Sequence, residues 1–204
     1  VDTTAIAQLL EPYIHLDEMR LRTISKYVDL LLKWNARINL TAIRAPEEII
    51  QRHFGESFFA ANYLLAQGPI EDVIDVGSGA GFPGVPFALL APQIYVTLIE
   101  SNHKKATFLK ELVFTLGLAN VMVFADRAER HSKTASLVTM RAVENFDQAL
   151  LLALALVKPS GRIALMIGLA QVDKARELAK QMDWSAPVVV PGGHSRVLLV
   201  GEKK

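Results

Sequence analysis

The residues whose types and spacing could do chemistry gather first between Asp75 and Glu100. Asp75-Val76-Gly77-Ser78-Gly79-Ala80-Gly81-Phe82-Pro83-Gly84 follows a short apolar run, and Glu100 closes the next one, Ile94 to Ile99. Glycines so placed let the backbone take positive φ and approach a ligand without Cβ clashes. Gly79 to Gly84 matches the dinucleotide fingerprint literally, and Glu100 lies about 20 residues on, where a ribose-binding acid belongs. The order of residues argues against a dinucleotide. Pyrophosphate sits over a helix N-terminus, yet the first turn glycine is Gly77, with Asp75 two residues before it. A carboxylate there repels pyrophosphate and suits a ligand with an ammonium group. S-adenosylmethionine carries an amine and a sulfonium and no phosphate, so the D-x-G-x-G order favours a methyl donor. A dinucleotide-dependent oxidoreductase and a glycine turn without a ligand are the alternatives.

Other polar residues fall at the ends of later apolar runs. Asp126-Arg127-Ala128-Glu129 follows Val121 to Ala125, and Arg141 follows Ser136 to Met140. In open α/β sheets, ligands bind beyond the carboxyl ends of the strands, near the switch in strand order. Adenine contacts at Glu129 and its neighbours fit that edge. Arg141 there would orient a nucleic-acid phosphate or base, or hold the donor's carboxylate. Arg196 follows the loop Pro191-Gly192-Gly193-His194-Ser195, which is long enough to reach the same edge.

The elements that must position these residues alternate. Val73 to Val76, the glycine turn, Val85 to Leu90 and Ile94 to Ile99 read as strand, loop, helix, strand. Ser101-Asn102 is a helix N-cap candidate before the stripe Phe108, Leu109, Leu112, Val113 and Leu116, and Gly117 suits its C-terminal cap. Ala149 to Val157 reads as buried helix, Arg162 to Ile167 as a fifth strand and Ala170 to Met182 as amphipathic helix. Pro187 to Val190 and Arg196 to Val200 read as a terminal pair of strands. Residues 1–68 read as helices, with Leu21, Ile24, Val28 and Leu31 on one stripe. The seven Lys/Arg and eight Asp/Glu of that region rule out a basic arm. Gln67-Gly68-Pro69 is the boundary candidate, giving a helical extension over 1–68 and a catalytic domain over 69–204.

Composition narrows the function classes. Half of the 204 residues are apolar, at 51%, which supplies a sizeable core. No cysteine is present, so disulfides, thiolate metal sites and cysteine nucleophiles are excluded. The five histidines are scattered, and no metal is expected. His53 lacks a histidine one helical turn on and reads as a hydrogen-bonded structural residue. No apolar run approaches the length of a membrane span. A net charge of +1 advertises no strong field for nucleic acid, so an RNA substrate needs a local patch.

With these residues assembled, the chain resembles the glucose-inhibited division protein B family (RsmG), the bacterial small-subunit ribosomal RNA guanine-N7 methyltransferases. The likeness rests on Lys33-Trp34-Asn35 through Asn39-Leu40-Thr41-Ala42, Arg52-His53 with Ser57, Asp75 through Gly84, and Arg141-Ala142. It implies a class I S-adenosylmethionine-dependent methyltransferase, a Rossmann-like α/β fold with a seven-stranded, mostly parallel sheet and a helical extension. Carried over by position, it implies donor contacts at Gly77, Phe82, Glu100, Ala128, Glu129 and Arg141; Asp75, Gly79 and Ser101 complete the expected donor set. Arg141 and Arg196 become the catalytic pair, with Arg196 on the substrate side. The implied partner is 16S ribosomal RNA or the small subunit. The absence of cysteine fits a reducing cytoplasm, and a monomer is expected. Two departures stand out. The family usually has Asp where this chain has Glu56, and it tends to end the fifth strand with Lys-Gly where this chain has Ile167-Gly168.

Overall fold

A computed structural model describes every residue except 194. The expected loop over 191–195 therefore includes one position, His194, outside the described residues.

The glycine loop hangs from the middle of one twisted sheet. Its strands are β1 (Asp72–Val76), β2 (Tyr95–Ile99), β3 (Val121–Phe124), β4 (Ala135–Arg141), β5 (Val157–Gly168), β6 (Met182–Trp184), β7 (Val188–Val189) and β8 (Arg196–Lys203). The spatial order is β3-β2-β1-β4-β5-β8-β6, with β7 paired to β8 outside that path. β1 to β5 run parallel, and β8 returns antiparallel against β5. The chain winds outward from β1 to β3 and then resumes at β4 on the other side of β1. This reversal opens a crevice at the carboxyl ends of β1 and β4.

Strand alternation divides the core. On β1, Val73 joins an apolar cluster on one face, and Ile74 and Val76 join a second cluster on the other. β4 does the same with Leu137 against Val138 and Met140. The N-terminal helices are α1 (Thr3–Leu10), α2 (Glu18–Asn35), α3 (Pro46–Glu48) and α4 (Glu56–Ala66); all but α3, which buries no residue, cover the first face, together with α5 (Gly84–Leu90) and α6 (His103–Leu116). The second face is covered by α7 (Phe146–Ala155) and α8 (Val172–Leu178). The first cluster runs without interruption from Ile6 to Leu198, so residues 1–68 and the sheet share one interior.

Capping follows the side-chain chemistry. Asn102 Oδ1 accepts from the Lys104 and Lys105 amides at the start of α6, and Gly117 ends that helix at φ +64°. α3 passes into α4 through a π-helical stretch, Ile49–Gly55, which the apolar spacing did not announce. Such wide turns are rare and often mark functional sites. Elsewhere the boundaries moved. β5 begins at Val157 because the Pro-Gly segment is absorbed into the strand, with Ser160 at φ +57° and a register shift opposite Ala135 and Leu137. The last helix stops at Leu178 because Ala179 turns to φ −127°, which frees Met182–Trp184 to pair with β8.

Candidate active site

Most of the expected ligand-side residues lie at or beyond the carboxyl ends of the parallel strands. Across β3, β2, β1 and β4 they run Ala128 and Glu129, then Glu100 and Ser101, then Gly77 and Gly79, then Arg141. Three strand spacings make this row about 14 Å long, suited to an extended adenosyl amino acid.

The loop after β1 is fixed by its backbone. The Gly77 and Ser78 amides both donate to the Ile99 carbonyl, each at 3.0 Å. Gly79 donates to Glu100 Oε2 at 2.9 Å, while Glu100 Oε1 accepts from the Asn102 amide at 2.8 Å. Both oxygens of Glu100 thereby hold the loop to the start of α6, and each keeps a lone pair for a ribose hydroxyl. Gly79 has φ +55°, and a Cβ built there would meet nothing nearer than the Gly77 carbonyl at 3.7 Å. The space beside the loop is open, and positive φ there favours glycine. The cradle leaves room beside the loop for an adenosyl ligand whose ribose meets Glu100. Ser101 and Glu129 are exposed and Ala128 is half-buried.

Asp75 calls for a correction. Its carboxylate was expected to face an ammonium group. The structure leaves it 0% exposed. Oδ1 accepts from Thr139 Oγ1 at 2.8 Å, and Oδ2 accepts from the Gly84 amide at 3.3 Å. The reason is register: Asp75 lies opposite Thr139, on the strand face that also carries Val73. Burial pushes its pKa up to about 6, against the hydrogen bonds that pull it down. Asp75 braces the loop from beneath and ties it to β4. The Phe82 side chain is also drawn inside. Its ring lies parallel to Tyr27 at 5.3 Å (4°) and to His53 at 4.9 Å (23°), so neighbouring rings hold it in the interior.

Arg141 follows Leu137 and Thr139 on that same face of β4, so its side chain enters the layer formed by the N-terminal helices. It is 11% exposed. Nη2 donates to the Arg52 carbonyl at 2.6 Å and to Glu56 Oε2 at 3.0 Å, and Nη1 donates to His53 Nδ1 at 3.1 Å. An arginine only donates, so Nδ1 accepts and the neutral ring carries its proton on Nε2. That proton points to Thr41 Oγ1, 2.8 Å away. Asn35 fixes the loop around Thr41, accepting from the Leu40 and Thr41 amides and donating to the Thr41 carbonyl. The Lys-Trp-Asn through Asn-Leu-Thr-Ala signature is therefore the outer end of a chain of contacts reaching Arg141.

Sequence reasoning missed Glu56 as a participant. It is 2% exposed and pairs with both arginines, accepting from Arg196 Nε at 2.7 Å as well as from Arg141. Its only signal was the departure from aspartate. Tyr13 was also missed. A Cβ on Gly55 would lie 2.7 Å from its ring, and one on Gly192 would lie 3.1 Å from its hydroxyl, so it fills the gap between the helical layer and the loop before β8. Ile167, at the position where the family tends to have lysine, is buried on the opposite face.

His53 sets a pH dependence. Burial, with Arg141, Arg52 and Arg196 nearby, lowers its pKa from the ordinary 6.5 to about 3. The unfolded chain takes up that proton first, so this contribution to stability is present above pH 6.5 and lost as pH falls toward 3. Asp75, raised from 3.8 to about 6, acts in the opposite sense, contributing below pH 3.8 and losing that contribution as pH rises through 6. Urea unfolding of His53→Gln should therefore lose stability less steeply than wild type between pH 7 and pH 4. The difference should be at most about 1.4 kcal/mol per pH unit. Equal slopes would show that His53 is protonated as readily folded as unfolded.

A parallel sheet whose order reverses beside β1, closed by an antiparallel β8, with a glycine loop tied to an acid at the end of β2, is the arrangement of a class I S-adenosylmethionine-dependent methyltransferase. Solved structures agree on the fold. A SAM-dependent methyltransferase from Aquifex aeolicus superposes with a TM-score of 0.62 at 19% identity, over 89% of this chain and 98% of that one. A ribosomal protein L11 methylase from Lactobacillus delbrueckii gives 0.62 at 12% identity, over 76% and 80%. The sequence is more particular. The GidB family, rRNA small subunit methyltransferase G, matches residues 20–195. The Ribosomal RNA small subunit methyltransferase G of Chromobacterium violaceum is 36% identical over 88% of this chain and 86% of its own. That of Roseiflexus castenholzii is 37% identical over 92% and 85%. The chain belongs to this family, and it is an S-adenosylmethionine-dependent methyltransferase of ribosomal RNA.

Proposed function

We propose that the chain transfers a methyl group to N7 of an unpaired guanine in 16S ribosomal RNA, acting as a monomer in the cytoplasm. The observation that supports this reading best is what the site contains. Arg141 ends the strand beside the glycine loop and shares Glu56 with Arg196, and no histidine or carboxylate stands free beside them as a base among the described residues: His53 and Glu56 are both taken up by arginines. Guanine N7 needs no base, because its lone pair lies free in the ring plane and no proton has to leave before attack.

S-adenosylmethionine, when bound, supplies the methyl on its sulfonium sulfur. Gly77 and Gly79 would hold its amino-acid end, Glu100 and Ser101 the ribose, and Ala128 and Glu129 the adenine. Phe82 and Asp75 would shape the loop from within. Residues 1–68 would serve as an extension of the 69–204 catalytic domain, closing its substrate side with Arg52, His53 and Glu56. Catalysis is then mainly alignment of attacking nitrogen, methyl and sulfur, which proximity accelerates greatly. Arg196 would hold the phosphate or the O6 edge while the purine becomes cationic, and Arg141 would act from beneath, through Glu56 and His53.

No helix among the described residues is long and apolar enough to cross a membrane. The rival reading, a small-molecule or protein substrate on the same fold, separates by ionic strength. Methylation of small-subunit RNA should weaken steeply between 50 and 200 mM salt through KM, as phosphate contacts release counterions. A KM that ignores salt would favour the rival.

A further inference from the structure

Arg141 and Arg196 differ in how much of each guanidinium is already occupied. Arg141 spends both terminal nitrogens on the Arg52 carbonyl, His53 and Glu56. Arg196 is 32% exposed at its side chain and, among the described residues, makes one side-chain hydrogen bond, from Nε to Glu56. Its two Nη groups have no partner among the described residues, and neither is among the buried polar atoms left unsatisfied. They are open to solvent at the edge of the site. A carboxylate that accepts from Nε sets the plane of the guanidinium and leaves the outer fork of donors clear, the arrangement that grips a phosphate oxygen pair.

We propose that Glu56 is a positioning residue for the substrate: one buried carboxylate, shared between Arg141 and Arg196, aims the outer fork of Arg196 at the RNA. This rests on the function proposed above. Three facts carry it. Glu56 stands at the start of α4, directly after the π-helical turn that also places Arg52 and His53, so its backbone is fixed by the extension. Arg141 anchors it from β4 through Oε2, at 3.0 Å. Oε1 is then left to Arg196 at 2.7 Å, on the strand that starts beyond Gly168 in register with β5. The acid spans two strands that β5 separates, β4 and β8. An aspartate is shorter by one methylene, and from the same backbone position it would hold one arginine rather than both. Tyr13, packed on Gly55 and near the Gly192 turn, closes the remaining side of this ion triad.

The test is a double-mutant cycle. Glu56→Gln should reduce kcat/KM for small-subunit RNA roughly tenfold while the Kd for S-adenosylmethionine, by calorimetry, changes less than about threefold. Glu56→Gln on top of Arg196→Ala should add little, because the first acts through the second. Glu56→Asp, which keeps the charge, should fall between wild type and Glu56→Gln. The same cycle read as RNA affinity by fluorescence anisotropy should show the same non-additivity. Losses that multiply in the double variant, or wild-type kinetics in Glu56→Gln, would overturn the proposal. If Glu56→Gln fails to fold by thermal unfolding, the cycle with Glu56→Asp decides on the same criterion. A wild-type protein that leaves RNA unmethylated would sink the functional reading alone, since the binding cycle still judges Glu56.

Discussion

Arg141→Ala should lower turnover at least about tenfold with both substrates saturating, and should cost roughly 3–5 kcal/mol of stability, the usual penalty for removing one partner of a buried ion pair. The structure makes the two effects separable. The truncation leaves Glu56 with one arginine, leaves His53 Nδ1 without a donor and frees the Arg52 carbonyl. Arg141→Lys keeps a charge beside Glu56 but offers a point donor in place of the planar fork, so it cannot satisfy all three partners at once. It should recover part of the urea midpoint and little of the turnover. Wild-type turnover in Arg141→Ala would show that the arginine is a structural strut and nothing more.

Gly81→Ala carries the second large effect. Gly81 has φ +93°, and a Cβ there would run into the Tyr27 hydroxyl and lie 3.0 Å from Val85 Cγ2. That hydroxyl donates to the Ala80 carbonyl at 2.5 Å from the fully buried Tyr27. Backbone strain of about 1–3 kcal/mol would add to an overpacking cost of similar size. The loop must shift, so affinity for S-adenosylmethionine should fall by roughly a hundredfold, if about 3 kcal/mol of loop geometry is lost. Gly117→Ala is the control. It has φ +64°, and its Cβ would meet nothing within 4 Å. It should cost the strain alone and leave donor affinity near wild type. Equal donor affinity in Gly81→Ala would mean that the helical layer does not set the loop.

These expectations separate what could be read from the chain from what could not. The apolar runs, Asn102 and Gly117 announced β1 to β4 and α6, because period, cap and turn chemistry are local. The residues of the site were also visible as polar groups at the ends of those runs. Their orientations were not. Asp75 alternates with Ile74 and Val76 on β1, but the alternation could not say that the helices of residues 1–68 would cover its face. Without that layer the carboxylate looks like a ligand group; with it, Thr139 and the Gly84 amide take both oxygens. Glu56 was hidden for the same reason, since its partners lie 85 and 140 residues away in the chain. The π-helical turn and the three-residue β6 have no periodic signature to find.

The atom that receives the methyl group is the most direct mark of this enzyme's chemistry. With donor labelled on the methyl carbon, and with 16S ribosomal RNA or small subunits from cells lacking this enzyme, nucleoside digestion should place the label in 7-methylguanosine. Label at any other ring position, on a ribose, or only in protein would contradict transfer to N7.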